Sequence, residues 1–318
     1  MMVDVNEPPS VFDYPANPGT QHPDEVGLTH YTTGPGLIGI FDSKAIWASD
    51  LRHLNDSSEF TFTFKTAAYS LQSTPALYQP GGWVEKYPGL ADRIRRSADQ
   101  AWTGSFFVTS FSTKQSDLSQ FRGYTTPGNA YTITFHAREL ERRAKSLGWR
   151  LERVWYGTDA SERIAELVIG AFAKLDNGDY STHGGEDAVS EAAWQDLFLG
   201  LAMVAPTFKD AAFADEHEWR LISPPSYFWS LPEPPTDTAP MTDQRLPVLW
   251  RAGPTFLIPY TKFPIGDPPG FGKDSSLVKF CAVGPGPHMV FATSSLLNFM
   301  TSMGYPSVAG QNGIPYRG

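Results

Sequence analysis

"DEHEWRLIS" (residues 215–223) sets Glu216 and Glu218 two apart, directly ahead of the strand-like run Trp219–Ile222. On a strand, residues at i and i+2 share a face, so two carboxylates placed there repel unless a cation lies between them. A salt-bridged surface edge is one solution. A site that stabilises a positively charged transition state is the other. The stretch also decides the fold, because it is the last of three strand-like blocks whose polar residues end or interrupt apolar runs. The first is "LTHYTT" (28–33), carrying His30, Tyr31 and Thr32. The second is "FVTSFST" (107–113), where Ser110 and Ser112 share one face of a strand otherwise built from Phe107, Val108 and Phe111.

Helical spacing fills the intervals. Leu37, Ile40 and Phe41 predict a helix after the Thr32–Gly36 turn, followed by the short strand "AIWAS". A further helix follows, capped by Asp56 or Ser57 with Glu59 near its third position. Others are expected near 90–101, 118–124, 160–175, 186–203 and 293–303, and strands at "AYTITFH", "RVWYG", 245–251, 255–261 and 276–283. The run "RELERRAKSLGWRLER" (138–153) reads as a basic helix with a solvated face, because glutamates are interspersed among its arginines. Strands and helices interleave without a regular βαβ repeat and without internal duplication, which favours the α+β class. Residues 1–24, rich in Pro and Asp, are expected to be a flexible arm. Residues 25–318 are expected to form a single α+β domain with a Pro-rich insertion at 223–243.

Bulk chemistry narrows the functional classes. The chain has 318 residues and a formal net charge of −9, which argues against a surface that grips nucleic acid throughout. A single cysteine, Cys281, excludes a disulfide framework and cysteine-ligated zinc within the chain, and reads as a buried thiol. No phosphate-binding loop, dinucleotide glycine fingerprint, HExxH motif or GxSxG elbow occurs. No metal is expected. The N-terminus lacks a basic start and apolar core, and no apolar run reaches membrane-spanning length. A cytoplasmic protein without a membrane partner is the expectation, and a leaderless export route would leave no mark.

Two resemblances add to this. "LTHYTTGPGLIGIFDSKAIWASDLRHLNDSSEF", "TSFSTKQSDLSQFRGYTTPGNAYTITF", "FADEHEWRLIS" and "VKFCAVGPG…MGYPSVAG…IPYRG" together resemble the bacterial family known as domain of unknown function 2971, in that family's order, over roughly residues 26 to 317. Phe121 stands where that family commonly has Trp, and the Pro-rich stretch is private to this chain. The order His, Ser-x-Ser, Glu-x-Glu on three successive strands is similar to the signature of ADP-ribosyltransferases, with Phe111 in place of the middle Thr. That second resemblance implies a central split antiparallel sheet with peripheral helices and a C-terminal α/β extension. It also implies NAD as substrate, held by His30, Tyr31, Thr32, Ser110, Ser112 and Tyr124. His30 would hold the adenosine ribose or phosphates, Ser110 would orient Glu218 as the essential glutamate, and Glu216 would face the acceptor.

The chemistry suits these residue types. Loss of nicotinamide leaves an oxocarbenium-like ribosyl cation, which a fixed carboxylate stabilises. A bound cationic nicotinamide would also relieve the repulsion between the two glutamates. The acceptor, a protein, nucleic acid or small molecule, is not encoded legibly, and a toxin or defence role is compatible with the reaction. Three alternatives remain. One is a nucleotide- or nucleic-acid-binding module using Trp47, Tyr124 and Tyr131. Another is a glycosidase or nucleosidase using the same glutamates. In the third, Trp219 packs in the core, Arg220 pairs with Glu218, and nothing is catalytic.

Overall fold

A computed structural model describes residues 23–54, 59–97, 104–125, 128–181, 184–227, 246–253, 255–266, 277–305, 309–311 and 313. The N-terminal arm (all but Pro23–Asp24), the Asp56 or Ser57 cap, most of the Pro-rich insertion and the terminal "IPYRG" lie outside those residues.

Fourteen strands are described in chain order: β1 (Leu28–Thr33), β2 (Ala45–Asp50), β3 (Gly104–Ser105), β4 (Phe107–Ser112), β5 (Ala130–Phe135), β6 (Arg150–Arg153), β7 (Trp155–Tyr156), β8 (Phe208–Lys209), β9 (Glu218–Ile222), β10 (Ser226–Tyr227), β11 (Leu249–Ala252), β12 (Leu257–Pro264), β13 (Val278–Val283) and β14 (Ala309–Gln311). Ten of them form one mostly antiparallel sheet in the order β11-β12-β2-β4-β1-β5-β13-β14, with β9 joined to β4 and β6 joined to β9. The fold is therefore mixed α/β around a central sheet. At one end β14 pairs in parallel with β13, and the helix Met289–Ser302 lies between them in the chain, an α/β addition to the antiparallel body.

Alternation along the central strands sorts side chains to two faces. On β4 and β9, Phe107, Phe111, Trp219 and Leu221 enter a cluster with Leu28, Ile133 and Phe135, which the helices Gly34–Asp42, Ala137–Ser146 and Met289–Ser302 cover. Val108 and Ile222 face the opposite way, into a second cluster with the helices Glu59–Ser73, Pro88–Ser97, Gly157–Asp176 and Glu186–Val204. Ser110, Glu218 and Arg220 share this second parity. Cys281 lies fully buried in the first cluster, where burial pushes its thiol pKa up.

Local chemistry fixes the turns that matter to the site. The Thr33 hydroxyl accepts from Gly36 N at 3.4 Å and starts the helix Gly34–Asp42, with Pro35 in its first turn. Asp117 does the same for the helix Leu118–Tyr124, accepting from Ser119 N at 2.8 Å. The expected basic helix over 138–153 is shorter than its charge pattern implied. It ends at Ser146, because Gly148 adopts φ +71° and turns the chain, and Arg150–Arg153 continue as the strand β6.

Candidate functional site

The cleft arises from a fork in the sheet. One edge of β4 pairs with β9 along its whole length, from Val108↔Ile222 to Ser112↔Glu218. The other edge is divided. β2 takes its start, at Asp50↔Phe107 and Ser49↔Val108, and β1 takes only its end, at Thr29↔Ser112. In the gap, the carbonyl of Ser110 accepts from His30 Nδ1 at 3.0 Å, and the Thr109 hydroxyl donates to the carbonyl of Trp47 at 3.2 Å.

A cavity of about 710 Å³ occupies this fork, lined by His30, Tyr31, Thr32, Ser110, Tyr124 and Glu218 among others. A smaller adjoining pocket of about 50 Å³ adds Glu216 and Gln120. Seven of the eight residues expected from sequence therefore meet. The eighth, Ser112, does not line either cavity. It is buried and donates its hydroxyl to the Glu216 carbonyl at 2.7 Å while accepting from Lys114 N at 3.0 Å, so it holds the approach to β9 in place.

The two glutamates do not sit on one strand, contrary to the i, i+2 expectation. Glu216 ends the 3-10 turn Ala211–Glu216, and His217 takes a left-handed φ of +46° before Glu218 opens β9. The cation between them is supplied by the chain. Lys209 Nζ donates to Glu216 Oε2 at 2.6 Å and to Glu218 Oε2 at 3.1 Å. Arg220 donates to both oxygens of Glu218, through Nε at 2.8 Å and Nη2 at 3.0 Å, and through Nη1 to the Pro206 carbonyl at 2.9 Å. Two carboxylates thus face two buried cations.

This balance sets the protonation of Glu218. Burial alone would raise its pKa, but the charges of Arg220 and Lys209 and hydrogen bonds from Arg220 and Ser110 outweigh burial and hold it well below the usual carboxylate range. Three charged donors also engage its oxygens: Arg220 Nε and Nη2 and Lys209 Nζ occupy three of the about four acceptor positions of an ionised carboxylate. Glu216 differs. It is 19% exposed and accepts from Lys209 on one oxygen and from the Tyr124 hydroxyl on the other at 3.0 Å, which leaves acceptor positions open to the cleft.

The remaining side chains have specific states. A carbonyl can only accept, so His30 Nδ1 is the donor to Ser110, and the neutral ring presents Nε2 as an acceptor. Burial lowers the His30 pKa, more than its bond to Ser110 raises it, which favours that neutral ring. Tyr31 is committed elsewhere: its hydroxyl donates to Lys114 O at 2.6 Å and accepts from Asp117 N at 3.1 Å, and its ring meets Phe121 edge-on. The Tyr124 hydroxyl is pushed up by burial and by Glu216 and Glu218.

Sequence reasoning missed three contributors. Lys209 hid in the aperiodic run "APTFKDAAFAD", where only an isolated cation among apolar residues marked it. Arg220 was seen as a possible partner of Glu218 but not as a cleft residue. Arg251, on β11, lines the cavity and donates to the Ser49 hydroxyl at 3.0 Å. Among the described residues, no group of three or more His, Cys, Asp or Glu side chains is placed to hold a metal ion, and no helix is long and apolar enough to cross a membrane.

Comparison with known proteins adds one match. Residues 120–221 match the family model described as "Protein of unknown function (DUF2971)", about a third of the chain and far less than the span of 26 to 317 expected from the motifs. The match takes in Tyr124, Lys209, both glutamates and Arg220, and leaves out β1 and β4. No curated protein and no solved structure matches this chain, so the likeness to ADP-ribosyltransferases rests on its short motifs alone.

Proposed function

We propose that the forked-sheet cleft binds NAD and that the chain cleaves the nicotinamide–ribose bond, passing ADP-ribose to a protein, nucleic acid or small acceptor. The observation that carries this reading is convergence. His30, Tyr31, Thr32, Ser110, Tyr124, Glu216 and Glu218, drawn from four separate stretches of sequence, line one cavity system. Its larger part, about 710 Å³, lies within the ordinary range for small-molecule and cofactor sites.

In this reading the C1′–N bond breaks and its electron pair leaves with nicotinamide, which becomes neutral. The acceptor's nucleophile bonds to C1′ and its proton passes to a base. Glu216 is the carboxylate equipped for that task, because it has open acceptor positions and partial exposure. Glu218, engaged by three donors, serves as a positioning residue that keeps Lys209 and Arg220 in place. His30 Nε2 suits a ribose hydroxyl better than a phosphate, since it accepts and carries no charge. The first turn of the helix Gly34–Asp42 and Arg251 lie on the same cavity and suit the diphosphate.

The test is release of nicotinamide from NAD by the full chain. Glu216→Gln should lower the rate by roughly a hundredfold, the usual scale for a positioned acid or base, while leaving the unfolding midpoint near that of the unsubstituted chain. Release that is absent from the unsubstituted chain with every acceptor class tried, or undiminished in Glu216→Gln, removes the proposal.

A further inference from the structure

The short ribbon formed by β7 and β8 has two working faces. Tyr156 and Lys209 are register partners and turn towards Glu218, whose backbone N donates to the Tyr156 hydroxyl at 2.9 Å. Their neighbours Trp155 and Phe208, also register partners, line a second cavity of about 500 Å³. Arg150 and Arg153, from the end of the basic stretch, meet Arg163 there.

The guanidinium carbons of Arg153 and Arg163 each lie 3.5 Å from the centre of the Trp155 indole. One ring cannot take two guanidinia at that distance on a single face, so they flank it. Arg150 lines the same cavity and is anchored by a 2.6 Å bond from Nη2 to the Met203 carbonyl. Glu152 and Glu166 are also present, so three cations meet two acids. Arg163 forms no ion pair among the described residues.

We propose that this cavity binds a small phosphate ester with a planar or apolar body, of the size and chemistry of a nucleoside monophosphate. Guanidinium forks match phosphate oxygens in pairs, and stacking on Trp155 holds two forks flat, so less side-chain freedom is lost on binding. Leu167, Val204 and Phe208 supply apolar wall for the rest of the ligand. The volume fits a small molecule. A nucleic-acid strand is the less suitable occupant, because the chain carries a net charge of −9 and the arginines gather in one cavity instead of along a stripe. The inference stands independently of NAD cleavage.

Calorimetric titration of the full chain with AMP at low salt tests it, with adenosine and a twelve-nucleotide single strand titrated alongside. AMP should bind one-to-one and adenosine at least about tenfold more weakly, the least expected for losing a charge-assisted contact. Arg153→Gln with Arg163→Gln should weaken AMP binding by more than about tenfold. Arg142→Gln, which breaks only an exposed pair with Glu139, should change nothing. Arg163→Gln alone, at an exposed helix position, gives the readout if the double variant fails to fold. AMP binding that survives these substitutions, as binding in the forked-sheet cleft would, overturns the proposal. Equal binding of adenosine, or tighter binding of the oligonucleotide through the same arginines, also overturns it.

Discussion

Arg220 grips Glu218 two positions earlier on the same strand, with Nε 2.8 Å from one carboxylate oxygen and Nη2 3.0 Å from the other. Both side chains are buried, Arg220 completely. Such a pair contributes little net stability over apolar residues of equal volume, yet breaking it strands a charge in a low-dielectric interior and typically costs about 3–5 kcal/mol. Glu218→Gln should therefore lower unfolding free energy by an amount of that order, read from urea titration. Loss of activity in Glu218→Gln does not by itself assign a catalytic role, and an unchanged midpoint would mean that the network is not a structural one.

The same network predicts acid lability. The pKa of Glu218 is lower in the folded chain than in the unfolded one, so the unfolded chain binds the proton first and stability falls as pH falls. The contribution is complete above the ordinary glutamate value of about 4.3 and is lost as pH drops through the folded value. Unfolding midpoints measured from pH 7 to pH 3 should hold near neutrality and then fall, and the fall should flatten in Glu218→Gln. Equal slopes in the two chains would remove Glu218 as its source.

How far the sequence reveals this site depends on the range of each interaction. Short runs of aromatic and β-branched residues in "LTHYTT", "FVTSFS" and "AYTITF" mark β1, β4 and β5 because strand preference is a local property. The meeting of His30, Ser110 and Glu218 follows once β1 and β9 both pair with β4. Other features depend on long-range geometry. The fork exists because β1 and β2 share one edge of β4, which no local pattern records. Lys209 reaches the acids only because β8 pairs with β7. Glu216 leaves the strand because His217 adopts a left-handed conformation, uncommon for a residue with a side chain. Ser112 shares parity with Ser110 but lies under the Glu216 turn, so parity alone assigned it too much.

Gly39 shapes the cleft wall. A Cβ added there would come within 2.8 Å of Trp47 Cζ2, and Trp47 lines the cavity and packs on Tyr260 with ring centres 5.0 Å apart. In an open helix, Gly→Ala gains about 1 kcal/mol. Here overpacking costs about 1–3 kcal/mol and should win. Gly39→Ala should destabilise the chain and lower affinity for NAD. A gain in stability with unchanged affinity would mean that Trp47 moves freely.

His30 makes the proposed NAD affinity depend on pH in one direction. Its folded pKa lies below 6.5, so the ring is neutral at pH 7 and Nε2 can accept. Affinity should be level above about pH 6.5 and weaken as pH falls through the folded value, when Nε2 gains a proton. Folding stability moves the same way, since the unfolded imidazole is protonated first. Titrations at pH 8, 7, 6 and 5 separate this from phosphate recognition by a charged imidazole, which would tighten on acidification.

Arg251 distinguishes a dinucleotide from a smaller ligand in the cleft. It reaches the cavity from β11, across β12 from β2, and donates to the neutral Ser49 hydroxyl on that strand. Burial lowers its pKa, with a smaller opposing effect from Tyr260, but a guanidinium stays charged at any physiological pH. A cation on β11 and the acid Glu218 on β9 line the same cavity, which suits a ligand that carries negative charge besides the reacting sugar. A hydrogen bond to a charged group contributes about 1.5–3 kcal/mol. Arg251→Gln should therefore weaken NAD binding about tenfold or more while leaving nicotinamide riboside, which lacks phosphate, unaffected. Equal losses for both ligands would mean that the substitution deforms β11, and no loss for either would place the diphosphate elsewhere.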